Sequence, residues 1–281
     1  MLRLALCNEV LRELSFEQQC AFAAATGYDG LEIAPFTLDG QAPHTLSGRD
    51  VDHLRQTAHR HGVAITGFHW LLTVPEGLSI TTDDRGLRRH TIDVLKGLIS
   101  VCRDMGGRVL VHGSPTARVI PTDGDTTRAH DNALEVFAHV AQASRDAGVT
   151  YCLEPLSARE TRFITRVHEA VAIVKTLDSP HFRTMIDASA AGRDETDSVS
   201  DLIRSWVPTG YIAHIHLNDT NRHAPGQGDD RFAPVMTALA DTGYGGWASV
   251  EPFVYVPDGP ATAARAIGYL RGLNDALTWT T

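Results

Sequence analysis

Short runs of apolar and β-branched residues recur along the chain at 2–7, 31–34, 64–69, 109–112, 150–154, 183–187, 212–217 and 247–251. Each is followed by a longer stretch with helical periodicity, and this alternation predicts βα units around a parallel sheet. Eight such units, with no Ser/Gly linker, like-charge block or low-complexity run between them, predict an α/β fold: a single (β/α)8 TIM barrel occupying residues 1–281 as one domain. An open doubly wound sheet would want a glycine-rich turn after its first strand, where Cys7, Asn8 and Glu9 stand instead. Boundary chemistry agrees with the barrel. Ser15 with Gln18 forms a capping box, Ser47 caps the second helix, and Gly27, Gly62, Gly148 and Gly243 follow helices where a left-handed residue is wanted. The stretch 131–147 places Leu134, Phe137, Ala138 and Ala141 on one face, predicting a stripe packed on the sheet.

Polar residues interrupt this pattern at one end of the runs: Glu32, His69, His112, Glu154, Asp187, His216 and Glu251 all stand at or near predicted strand ends. In a barrel those positions converge on the C-terminal mouth, where such proteins build their sites. Any one of them is as well explained by a strand cap or a loop hydrogen bond. The last four together are not, because three carboxylates near one point repel each other unless a cation neutralises them. Glu154, Asp187, His216 and Glu251 therefore predict a site for one divalent metal ion. The mainly oxygen donor set puts Mn²⁺ first, with Mg²⁺ or Co²⁺ as alternatives, and no organic cofactor is expected.

The motifs around these residues resemble the xylose isomerase-like superfamily of sugar phosphate isomerase/epimerase barrels, nearest to ketose 3-epimerases and hydroxypyruvate isomerase-like proteins. They are Leu153, Glu154 and Pro155 with Glu160; Met185, Ile186 and Asp187; His214, Ile215, His216 and Leu217, running through Asn221 and Arg222 to Pro225, Gly226, Gln227 and Gly228; and Val250, Glu251, Pro252 and Phe253. The resemblance implies that Glu154 and Glu251 act as an acid/base pair as well as metal ligands. It also implies that Glu160 and Arg222 contact substrate hydroxyls, and that the protein forms a homodimer or homotetramer. One departure is visible: those epimerases carry a substrate-contacting His three residues after the metal-binding Asp, where this chain has Ala190.

The expected chemistry is a sugar isomerase or epimerase working by proton abstraction alpha to a carbonyl through a metal-stabilised enediolate. The same first step serves a dehydratase or lyase on a keto-sugar, inosose or keto-glycoside. A metal-bound carboxylate is a weakened base, so single-oxygen coordination is required to leave its second oxygen free. Trp70, after His69, either stacks on a sugar face or covers the mouth. His112 and Glu32 either meet substrate or bond neighbouring loops, whereas His214 lies on the same side as His216 one layer deeper and reads as core.

Composition narrows the partners. At 43% apolar and 21% charged the chain is an ordinary globular one, and its net charge of −9 argues against nucleic acid and for a small sugar-derived ligand. That charge also weighs against an apurinic endonuclease, which His216, Leu217, Asn218 and Asp219 partly resemble; a non-catalytic sugar-binding barrel is the remaining rival. The four scattered cysteines read as buried thiols in a reducing compartment, and no apolar run suggests a signal or a membrane span, so a cytoplasmic protein is expected. Only Lys96 and Lys175 occur, both in predicted helices, which leaves a Schiff-base aldolase without its nucleophile. No G-x-S-x-G elbow supports a hydrolase.

Overall fold

Eight strands pair in chain order and the last returns to the first, all parallel, closing a barrel. They are Arg3–Cys7 (β1), Gly30–Ile33 (β2), Ala64–Phe68 (β3), Val109–His112 (β4), Thr150–Leu153 (β5), Phe182–Asp187 (β6), Ile212–Leu217 (β7) and Trp247–Val250 (β8). Around them lie Phe16–Thr26 (α1), Gly48–Arg60 (α2), Arg85–Met105 (α3), Thr126–Ala147 (α4), Val167–Leu177 (α5), Ala188–Asp194 (α6), Val199–Trp206 (α7), Ala233–Asp241 (α8) and Gly259–Asp275 (α9). The protein is seen in a computed structural model that describes residues 1–120 and 124–277. The expected barrel is present, although the ladders of β3, β5 and β8 end one residue before His69, Glu154 and Glu251, which begin the mouth loops.

Local chemistry sets the helix ends as expected. Ser15 and Gln18 complete a capping box and Ser47 accepts from the Asp50 amide, while Gly27, Gly62, Gly148 and Gly243 all take positive φ. The expectation for 131–147 needs correction. The helix α4 begins at Thr126, capped by Asp125, and its buried side chains are Ala129, Asn132, Ala133, Val136, Phe137, Val140, Ala141 and Ser144. Leu134 is only half-buried and Ala138 is exposed, because the sheet-facing stripe runs one residue to the side of the row chosen from sequence. The cysteines Cys7, Cys20, Cys102 and Cys152 are free and buried. Lys96 and Lys175 lie on α3 and α5, away from strand ends. Among the described residues no helix is long and apolar enough to cross a membrane.

Period-two alternation divides each strand between two environments. Leu4, Leu6, Leu31, Ile33, Leu153, Ile215 and Val250 join the core between sheet and helices. The alternate positions face the barrel axis, where Val111, Cys152 and Met185 form a small apolar plug. Above that plug, toward the mouth, the inward positions are polar.

Candidate metal and substrate site

Glu154, Asp187, His216 and Glu251 are brought together, with one donor atom from each lying within 4.8 Å of all the others. His216 Nδ1 lies 2.9 Å from Glu251 Oε2, 3.8 Å from Glu154 Oε1 and 3.9 Å from Asp187 Oδ2. All four side chains are buried. Despite the short approach to Glu251, His216 Nδ1 lies outside hydrogen-bonding geometry with any partner among the described residues. On the opposite side of the ring His216 Nε2 is 3.3 Å from Glu32 Oε1, a partner that would keep the ring proton on Nε2 and free Nδ1 to ligate once a cation stands among the three carboxylates. A buried imidazole lone pair beside three carboxylates fits a divalent cation, and this donor set is the one such ions take.

Without a cation the cluster holds protons. Burial, then the charges of Glu251 and Asp187, push the Glu154 carboxyl well above the usual range. Asp187 is pushed up to about 6, by burial and then by Glu251. Burial also opposes ionisation of Glu251, but His216 and His69 outweigh it and draw that carboxyl down to about 2. The surroundings thus push the two glutamates in opposite directions.

A second layer supports the first. His69 sits between Glu251 Oε1 and Glu9 Oε2, with its ring nitrogens 3.0 Å from each. Asn218 donates to Asp187 Oδ2 at 2.7 Å and to the Glu251 carbonyl at 3.2 Å, tying the ends of β6 and β8 together. Asp187 Oδ1 meanwhile accepts from the Ala190 amide, capping α6. Arg118, wholly buried, donates to the Glu154 carbonyl at 2.7 Å and to the His112 carbonyl. Burial pulls its guanidinium down to about 10. A methyl at Gly113 would overlap Glu154 Oε2, so the carboxylate keeps its present position only beside a glycine.

Arg118→Leu would leave the Glu154 carbonyl unpaired, while the His112 carbonyl keeps the Glu154 amide at 3.2 Å. At about 1–3 kcal/mol for a buried unsatisfied group, partly offset by removing a buried charge, the expected loss is about 1 kcal/mol. Urea unfolding measures it, and unchanged stability would show that the clamp is idle.

A cavity over the cluster is lined by His69, Trp70, Gly113, Ser114, Pro115, Glu154, Leu156, Glu160, Glu251 and Phe253. Glu160, His69 and Trp70 therefore stand where substrate contacts were expected. Arg222, also expected to meet substrate, is exposed and outside the cavity lining, its guanidinium 4.5 Å from the Phe253 ring centre. Two other expected substrate contacts are corrected. Glu32 is buried beneath the cluster, shared between His214 Nε2 at 2.8 Å and His216 Nε2. His112 occupies an outward position on β4, where its ring packs on Phe137 and bonds the Tyr151 hydroxyl. The alternation that turns Val111 inward turns His112 toward the helices. His214 is one layer deeper, as expected, though it is paired with Glu32 rather than merely packed.

Glu9, Asn218 and Arg118 were missed as site residues. Glu9 and Asn218 carry a legible signal, since each lies two positions beyond an inward residue, Cys7 and His216. Arg118, between Ala117 and Val119, carries none.

A family model described as xylose isomerase-like TIM barrel matches residues 20–273. The D-psicose 3-epimerase of Ruminiclostridium cellulolyticum is 31% identical over 250 residues, which cover 86% of this chain and 80% of that protein. The D-psicose 3-epimerase of Agrobacterium fabrum is 32% identical over 237 residues, covering 82% of this chain and 77% of the relative. Among solved structures, the D-psicose 3-epimerase of Clostridium cellulolyticum H10 with D-tagatose superposes with a TM-score of 0.83 at 22% identity, covering 97% of this chain and 99% of that one.

Proposed function

Because the chain belongs to the xylose isomerase-like TIM-barrel family, we propose that it is a divalent-metal-dependent ketose 3-epimerase in which Glu154 and Glu251 exchange protons with the substrate. It is an enzyme of the sugar isomerase and epimerase class. The observation that carries the reading is the pair of carboxylates lining one cavity, each with one oxygen turned to a shared donor cluster.

When bound among Glu154, Asp187, His216 and Glu251, a divalent ion supplies Lewis-acid stabilisation, worth several kcal/mol, to negative charge developing on substrate oxygens. The chain's own groups handle the protons. Glu251 Oε1 accepts from His69 through one lone pair and has a second with which to take a proton from carbon. Glu154 Oε2, beside Gly113, delivers a proton from its own side. Removal by one carboxylate and return by the other inverts the carbon, and exchanging their roles runs the reverse reaction. Trp70 and Phe253, in edge contact at 6.2 Å, give the cavity an aromatic wall.

The test is incubation of Mn²⁺-loaded protein with D-psicose, D-fructose and D-tagatose in D₂O. Deuterium at C3 accompanied by the 3-epimer is the expected result. Aldose formation without C3 exchange, or loss of a hydroxyl as water, would overturn it in favour of isomerisation or elimination. Gly113→Ala should cut kcat/KM by about 10²-fold through displacement of the Glu154 carboxylate, because misplacement by about 1 Å costs that much. An unchanged melting temperature would locate the loss in the site.

A further inference from the structure

The donor groups at the barrel mouth extend beyond the four side chains proposed to hold the catalytic ion. Cys7, Glu9, His69 and Glu251 form a second group, all buried, in which one donor atom from each lies within 4.8 Å of all the others. Cys7 is the last residue of β1, Glu9 follows in the single helical turn Asn8–Leu11, and His69 and Glu251 begin the loops after β3 and β8. In the closed strand order β1 stands across from β5, whose end delivers Glu154, so the two groups lie on either side of Glu251 and share it. His69 holds the second group together, 3.0 Å from Glu251 Oε1 and 3.0 Å from Glu9 Oε2. Donors are left over. The Glu9 side chain is nine-tenths buried, and its Oε1 is shielded from solvent without a hydrogen-bond partner among the described residues. The Cys7 thiol is 4.0 Å from Glu32 Oε2, a long contact even for sulfur. A buried carboxylate oxygen left unpaired beside a thiol and an imidazole is costly as it stands, and a cation satisfies it.

We propose that Cys7, Glu9, His69 and Glu251 are a second cation site, selective for a thiophilic divalent ion of the Zn²⁺ class, and that filling it inhibits the enzyme by withdrawing Glu251 from the reaction. Sulfur and imidazole favour Zn²⁺ over Mn²⁺ and Mg²⁺, whereas Glu154, Asp187, His216 and Glu251 offer mainly oxygen. As the second ion binds, the thiol gives its proton to solvent and coordinate bonds replace the hydrogen bonds of His69. Glu251 then bridges two cations, with Oε2 turned to the first group and Oε1 to the second, and no oxygen is left to take a proton from carbon. The inhibition rests on the epimerase reading; the site itself does not.

The experiment titrates Mn²⁺-loaded protein with Zn²⁺ while following epimerisation of D-psicose, then removes free ions by gel filtration and counts bound metals. The expected result is loss of activity with one Mn²⁺ retained and one Zn²⁺ added per chain. Co²⁺ in place of Zn²⁺ should give a sulfur-to-cobalt charge-transfer band. Cys7→Ala should abolish that band, raise the Zn²⁺ concentration for half-inhibition by about tenfold or more, and leave epimerisation without Zn²⁺ unchanged. Glu9→Gln should weaken the second ion as well, a check that does not depend on the thiol. Displacement of Mn²⁺ by Zn²⁺ one for one, or a metal count and inhibition that Cys7→Ala does not alter, overturns the site. Full activity with both ions bound overturns the inhibition. A second ion bound with the cobalt band, in a protein that never exchanges hydrogen at C3, upholds the site and overturns the epimerase reading.

Discussion

Replacing Glu154 or Glu251 by Gln lowers kcat for 3-epimerisation by about 10³-fold or more, within the range that a positioned proton donor or acceptor supplies. The amide keeps an oxygen to face the donor cluster but can neither take nor return a proton near neutral pH. The two losses do not add, because inversion needs both carboxylates, so the double variant is no slower than the worse single one. The sharper signature lies in the isotope. With one carboxylate left, a proton can still be removed and replaced from the same face, so Glu154→Gln exchanges the C3 hydrogen of one epimer with D₂O without converting it. Glu251→Gln then exchanges only the other epimer. Metal analysis of each variant separates lost chemistry from lost ion. Epimerisation at more than a tenth of the wild-type rate in either metal-loaded variant would remove that residue from the proton pathway.

The barrel and the convergent cluster were legible because both follow from alternation: a parallel sheet with buried faces forces a period of two, and polar residues at strand ends then share the axis. The same rule misplaced His112. Position at a strand end was read without parity, and Val111, one residue earlier, had already taken the inward direction. Glu32 shows a different limit. Its direction was right, but depth along the axis depends on barrel stagger, which sequence spacing does not print, and it lies under His216 rather than beside substrate. Arg118 marks a third. A guanidinium that clamps two backbone carbonyls is specified by loop geometry after β4 and leaves no pattern in the residues around it. Gly113 falls between these cases, visible as a glycine after a strand but explained only by the Glu154 oxygen that occupies the space of its missing side chain.

Removing the divalent ion with a chelator should reduce epimerisation to background, and its return should restore both activity and a higher melting temperature. An ion at 100 times its dissociation constant adds about 2.7 kcal/mol to the native state. The dependence on pH has a definite sign. Asp187 is raised from 3.8 to about 6 in the ion-free protein and Glu154 is raised well above its ordinary range, so their contribution to stability is present below the ordinary carboxylate range and is lost as pH climbs through their raised values, about 6 for Asp187. The His216 imidazolium, which burial opposes but Glu251 and Glu32 hold well above its ordinary range, changes stability in the same direction. Glu251, drawn down to about 2, is ionised throughout that window, so its stabilisation is constant there and adds no pH dependence. The ion must displace the protons on Glu154, Asp187 and His216. Affinity for Mn²⁺ should therefore rise from pH 5 to pH 8, and the gap in melting temperature between loaded and stripped protein should widen over the same interval. Calorimetry in buffers of different ionisation enthalpy counts the protons released. Release of none, with an affinity indifferent to pH, would mean that the ion binds somewhere other than between these four side chains.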